Sequence, residues 1–170
     1  MKASRLYVVN LAAALIPPTR LFWLKRALLR WAGASVGANV RIVSSARFHL
    51  TGKLSIGENS YLGEQLLIAG GDADVVIGRD VDIGPRVTIV TGTHVLFGEP
   101  NKAAGQSYSR AISIGDGAWI GCSATILGGS QIGERCMVAA CALVKGSIPP
   151  SQVVGGIPAT QLKRSAPEDS

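Results

Sequence analysis

From Val36 onward a branched aliphatic or aromatic residue returns every six positions. Val36, Ile42 and Phe48 form one trio, then Ile56, Leu62 and Ile68, then Ile77, Ile83 and Ile89. After an interruption come Ile114, Ile120 and Ile126, then Ile132, Val138 and Val144. Two positions before each stands a second, usually smaller residue: Ala34, Val40 and Ala46 in the first trio, Ala118 and Ala124 in the fourth, Ser130, Cys136 and Ala142 in the fifth. Residues two apart on a strand share a side. Each six-residue unit therefore reads as a very short strand with one small and one large inward side chain, followed by a bend. A helical period of 3.6 fits no such series.

Repetition at a short fixed period implies a solenoid in which each turn buries its face only against its neighbours. Units grouped in threes imply three faces per turn, so the expectation is an all-β, triangular parallel β-helix of about five coils, spaced about 4.8 Å apart. Extra residues fall only between trios, and Cys136, at a small inward position, reads as packing. The composition agrees: 47% hydrophobic, 5% aromatic and 21 glycines suit small and β-branched residues in a turn-rich fold.

The repeat "[LIV]-G-x-x-x-x" resembles the hexapeptide-repeat acyltransferases over residues 34 to 163. The stretch "AISIGDGAWIGCSATILGGSQIGERCMVAACALVKGSIPPSQVVGGIPATQLK" (111–163) is similar to the branch of maltose, galactoside and exopolysaccharide O-acetyltransferases. The resemblance implies a left-handed coil; spacing alone does not give the hand. It divides the chain into an N-terminal helical, basic arm (1–33), the β-helix with its loop and closing segment (34–163) and a tail (164–170).

The rhythm breaks once. Ile89 to Ile114 is 25 positions where six would do, an insertion of 19 residues spanning the loop 90–111. A projection of that length from a rigid stack is usually functional. The resemblance implies that it reaches a neighbouring subunit of a homotrimer and that its start supplies the catalytic histidine, here His94 in "TGTHV". An imidazole can take a hydroxyl proton near neutral pH, so acyl transfer from acetyl-CoA needs no acyl-enzyme, cysteine or metal. By the same likeness, Trp119 lines the cleft, backbone donors around Gly121 and Cys122 hold the oxyanion, and the pantetheine arm meets the backbone at Ala140. Lys145 and Lys163 stand where the family contacts the nucleotide end of the coenzyme. "SIPPSQVVGGIPA" resembles a closing loop that leaves the coil. Tyr61 and Asp72 match acceptor positions, whereas Gly63 replaces the family's asparagine, a departure from maltose- or galactoside-like acceptors. His49 reads as structural or superficial.

The function expected is O-acetylation of a sugar hydroxyl in surface or exopolysaccharide biosynthesis. Alternatives are N-acetylation of an amino sugar or antibiotic, and a structural β-helix without catalysis. A related three-histidine zinc enzyme does not fit a chain with two histidines.

Charge is one-sided. No acidic residue precedes Glu58, while Lys2, Arg5, Arg20, Lys25, Arg26, Arg30, Arg41, Arg47 and Lys53 do. That suggests an anionic partner; given the resemblance, a nucleic acid is not expected. Within "TRLFWLKRALLRWAG" (19–33), helical phase puts Leu21, Leu24, Leu28 and Trp31 on one face and Trp23, Arg26 and Arg30 opposite. Such a helix caps the open end of the coil, or lies on a membrane surface through Lys25, Arg26 and Arg30. Three cysteines without a pairing pattern imply a reducing, cytoplasmic setting, with peripheral contact at the inner membrane face. The apolar run 6–16 is too short to span a bilayer, and no cleavage site follows it.

Overall fold

The computed structural model describes residues 1–163; the expected tail 164–170 lies outside the described residues. Residues 34–156 wind into a stack of parallel coils with three faces. The first face holds Ser35–Val36, Leu54–Ile56, Val75–Ile77, Ile112–Ile114, Gln131–Ile132 and Ser147–Ile148. The second holds Arg41–Ile42, Tyr61–Leu62, Asp82–Ile83, Trp119–Ile120, Met137–Val138 and Val153–Gly156. The third holds Arg47–His49, Leu67–Ala69, Thr88–Val90, Thr125–Leu127 and Leu143–Val144. Every member of both inward series is buried, from Ala34 and Val36 to Ala142 and Val144, and together they form one continuous core.

The bends follow from local chemistry. Three residues past the large inward position the backbone turns left-handed, at Asn39, Asn59, Asp80, Arg86, Gly117, Gly129 and Arg135. Asn, Asp and Gly tolerate that conformation best. Their amides also form a ladder along one corner: Asn39 Nδ2 donates to Asn59 Oδ1 at 3.2 Å, and Asn59 Nδ2 to Asp80 Oδ1 at 3.0 Å. The glycine after the large residue has a different cause. A Cβ on Gly57 would lie 2.4 Å from the Gly78 carbonyl carbon of the next coil, so only glycine lets adjacent turns close to strand spacing.

Five coils are complete. The segment expected to leave the stack instead continues it, because Ser147–Ile148 pairs with Gln131–Ile132 and Val153–Val154 with Met137–Val138. A sixth, partial coil results, closed where Ala159–Gln161 folds back antiparallel on Val153–Gly156.

Two helices, α1 (Ala3–Ala14) and α2 (Phe22–Trp31), lie across the first coil. Higher in the stack, the carbonyls of Ile56, Ser60 and Leu62 accept the amides of Gly37, Arg41 and Val43 from the coil below. The equivalent carbonyls of the first coil have no coil beneath them, and side chains take its place. Arg30 donates to Val36 O at 2.6 and 2.9 Å, Arg26 to Val40 O at 3.0 Å, and Lys25 to Ile42 O at 2.9 Å. On the third face Asn10 closes the edge in both directions, with Nδ2 donating to Phe48 O at 3.0 Å and Oδ1 accepting from Phe48 N at 3.1 Å. Lys25 also reaches Pro18 O at 2.7 Å; it is 2% exposed, and desolvation pushes its pKa down.

This corrects two expectations. The inward side of α2 carries Lys25, Leu29 and Ala32, while Leu21 and Trp31 are exposed, because the helix orients to satisfy edge carbonyls. Lys25, Arg26 and Arg30 are consequently committed to the coil and are not a free basic face.

Candidate active site

The interruption in the rhythm is an antiparallel hairpin, Gly92–Glu99 with Lys102–Ser109, standing off the corner between the third and first faces. Its root is tied down. Arg110 N donates to Thr91 O at 3.0 Å, and Ser109 Oγ donates to Asp72 Oδ1 at 2.7 Å. The Thr91 hydroxyl is buried there without a protein partner. Chiefly through Ser109, and then its own backbone amide, Asp72 is held below the usual carboxylate range.

His94 lies on the outgoing strand opposite Ser107. Its Nδ1 sits 2.9 Å from Gly105 O. A carbonyl can only accept, so neutral imidazole carries its proton on Nδ1 and keeps a lone pair on Nε2. Two clefts meet at this ring. One, of about 330 Å³, adds Arg110, Lys145, Leu127 and Gly128. The other, of about 460 Å³, adds Thr51, Asp72, Ser107 and Ser109. Gly92, Thr93 and Tyr108 border both. One side is cationic and the other rich in hydroxyl and carboxylate oxygens.

Of the residues expected at the site, His94, Asp72 and Lys145 thus gather at one corner. Arg110, Tyr108, Ser107 and Ser109 join them unannounced. The run "SYSR" that ends the insertion mirrors "TGTH" at its start, and strand pairing makes the two neighbours.

The rest lie elsewhere on the coil. Trp119, 55% exposed, stands outward on the second face. Tyr61 occupies the same column, in the order Arg41, Tyr61, Asp82, Trp119 and Met137, with the Arg41 guanidinium 5.1 Å from its ring centre. Gly121, Cys122 and Ala140 form the corner between the second and third faces, where a Cβ on Gly121 would meet Ala140 N at 2.5 Å. The Gly121 amide already donates to Val138 O at 2.7 Å, which removes it as an oxyanion donor. Lys163 is exposed beyond the last strand, at the far end of the second face. A single chain therefore divides the expected set into two groups on different sides of the triangle.

Cys136 is 1% exposed, with its thiol 3.0 Å from Pro149 O, so it packs as the repeat implied. His49 is exposed and lines a separate cleft beside α1. Among the described residues no group of three or more His, Cys, Asp or Glu is placed to hold a metal ion.

Residues 111–146 match the family described as bacterial transferase hexapeptide (six repeats). Galactoside O-acetyltransferase of Escherichia coli is 32% identical over 139 residues, covering 82% of this chain and 68% of that protein. Sophorolipid acetyltransferase of Starmerella bombicola is 38% identical over 117 residues, 68% of this chain and 44% of that one. The solved hexapeptide-repeat acetyltransferase of Vibrio cholerae, complexed with acetyl coenzyme A, superposes with a TM-score of 0.78 at 27% identity, over 95% of this chain and 85% of its own. With fifteen six-residue units stacked as the repeat demands and a relative matched over most of both lengths, the chain belongs to the hexapeptide-repeat acyltransferases, in the branch of the maltose, galactoside and exopolysaccharide O-acetyltransferases, and is an acetyl-CoA-dependent acetyltransferase.

Proposed function

We propose that the protein is an O-acetyltransferase acting on a sugar hydroxyl, in the biosynthesis of a surface or exported polysaccharide, with His94 as general base. The observation that carries this reading is the Gly105 carbonyl on Nδ1, which leaves the Nε2 lone pair free on a ring that borders both clefts. Acetyl-CoA enters on the side of Arg110 and Lys145, whose charges suit its phosphates. The acceptor lies on the side of Asp72, Ser107 and Ser109, whose oxygens suit hydroxyl groups. Nε2 takes the hydroxyl proton as the oxygen bonds to the thioester carbonyl carbon. The tetrahedral intermediate then expels the thiolate, which leaves protonated by the imidazolium. Relatives named for a galactoside and a sophorolipid support a sugar-bearing acceptor.

The full site is formed in a homotrimer. One copy supplies His94, Asp72 and Lys145, and the next supplies Trp119, Tyr61 and the Gly121–Cys122–Ala140 corner, where the Cys122 amide meets the oxyanion. The split of the site within one chain supports this, as does the hairpin, which stands off the coil where a neighbouring copy could meet it.

The test is release of free thiol from acetyl-CoA across candidate glycans. His94→Ala should lower turnover by about two to four orders of magnitude with coenzyme binding little changed, whereas alanine at Cys122, Cys136 or Cys141 should not abolish it. An acetyl group trapped on any of these cysteines would overturn direct transfer.

A further inference from the structure

The two helices that close the solenoid turn a second face outward, and that face is apolar. On α1 it carries Tyr7, Val8, Leu11 and Leu15, exposed by 70, 47, 58 and 83%. On α2 Trp23, Ala27 and Trp31 follow one another at four-residue intervals, and the two indoles are 61% and 50% exposed. The inner side of α1 is apolar except for Asn10, with Leu6, Val9 and Ala13 against the coil. A helix apolar on both sides belongs between two covering layers, and the coil provides one.

We propose that this base docks on the anionic face of a lipid bilayer. Charge argues for that occupant. With Lys25, Arg26 and Arg30 engaged by the coil, the cations left at the base are Lys2, Arg5 and Arg20, and no carboxylate side chain occurs before Glu58 to oppose them. Arg5 stacks 5.3 Å over the Trp31 ring, at the edge of the apolar face. Apolar side chains rimmed by tryptophan, tyrosine and basic residues are the composition of a helix lying in the headgroup region. Among the described residues no helix is long and apolar enough to cross a membrane, so in this proposal α1 and α2 lie flat. A second copy is the poorer occupant, because base-to-base contact would bring together two cationic ends with no acidic side chain between them.

The placement also serves the site. A cleft of about 250 Å³ runs between α1 and the third face, past Leu6, Tyr7, Phe48 and His49, and ends at Thr51. Thr51 also borders the cleft that holds His94 and Asp72. The cleft beside α1 thus borders the acceptor side at Thr51.

The test uses the full chain, sedimented with vesicles of phosphatidylcholine alone or with about one-third phosphatidylglycerol. The protein should sediment with the anionic vesicles only and be released as salt is raised to about 1 M. Leu11→Glu with Leu15→Glu, both at exposed positions, should cut partitioning at least about tenfold while melting temperature and thiol release with a soluble acceptor stay unchanged. No sedimentation of the wild type at low salt overturns the proposal, as does equal binding by the double variant. If the double variant instead halves the particle mass in light scattering while vesicles bind neither protein, the face is a self-interface and the proposal fails. None of these readings depends on which acceptor is acetylated.

Discussion

At the scale of single residues, the site is positioned by two hydrogen bonds whose partners are far apart in sequence. Gly105 fixes the tautomer of His94, and Ser109 joins the hairpin root to Asp72. The second bond has a pH signature. Asp72 is exposed, yet its carboxyl is held below the usual range by the Ser109 hydroxyl. A carboxyl depressed in the folded state stabilises it above the unfolded value, about 3.9, and loses that contribution as pH falls through the folded value. The anchor should therefore persist through mild acid and loosen only below about pH 4. Pepsin cleavage in the hairpin should rise only in that range, and Ser109→Ala should move the Asp72 carboxyl titration upward by NMR. Cleavage that begins near pH 6 would mean that another group holds the root.

At the scale of elements, the helices do for the first coil what each coil does for the next. Lys25→Met keeps the packing volume but leaves the buried Ile42 carbonyl without a donor, at a cost of about 1–3 kcal/mol, while Pro18 O keeps the Ser44 amide. Denaturant melting should show that loss, while Arg20→Met, at an exposed position, should be silent; equal stability of both variants would mean that water replaces the ammonium freely. These helices also mark where the sequence stops being legible. The coil could be read because every inward position obeys one period, so Ile83 or Val138 could be placed without any tertiary knowledge. The α2 face could not be read, because an apolar stripe through Leu21, Leu24, Leu28 and Trp31 competes with an unsatisfied edge, and the edge wins. In α1 the signal was Asn10, a lone polar residue in an apolar run, whose meaning depends on the carbonyl and amide of Phe48. The site was legible in the same uneven way. His94 stood out because it falls at the break in the period, whereas Arg110 and Tyr108 join it only through strand pairing across the hairpin.

At the scale of the whole molecule, the separation of the expected site residues onto two sides of the coil is the consequence that matters most. His94, Asp72 and Lys145 occupy the corner between the third and first faces, and Trp119 and Tyr61 the second face. A triangular coil cannot bend these together, since each face is a flat sheet held rigid by its neighbours above and below. Rotation about a threefold axis parallel to the stack can, because it sets a corner of one copy against a face of the next at three equivalent places. If each site draws His94 from one copy and Trp119 from another, two inactive proteins should complement each other. His94→Ala and Trp119→Ala, each inactive or severely impaired alone, are mixed in equal amounts, unfolded and refolded together. Random assembly then gives about a quarter of the sites both intact halves, so thiol release should recover to roughly that fraction of wild type refolded in parallel. Recovery no greater than the average of the two variants would place the whole site within one chain, and the trimeric reading would fall.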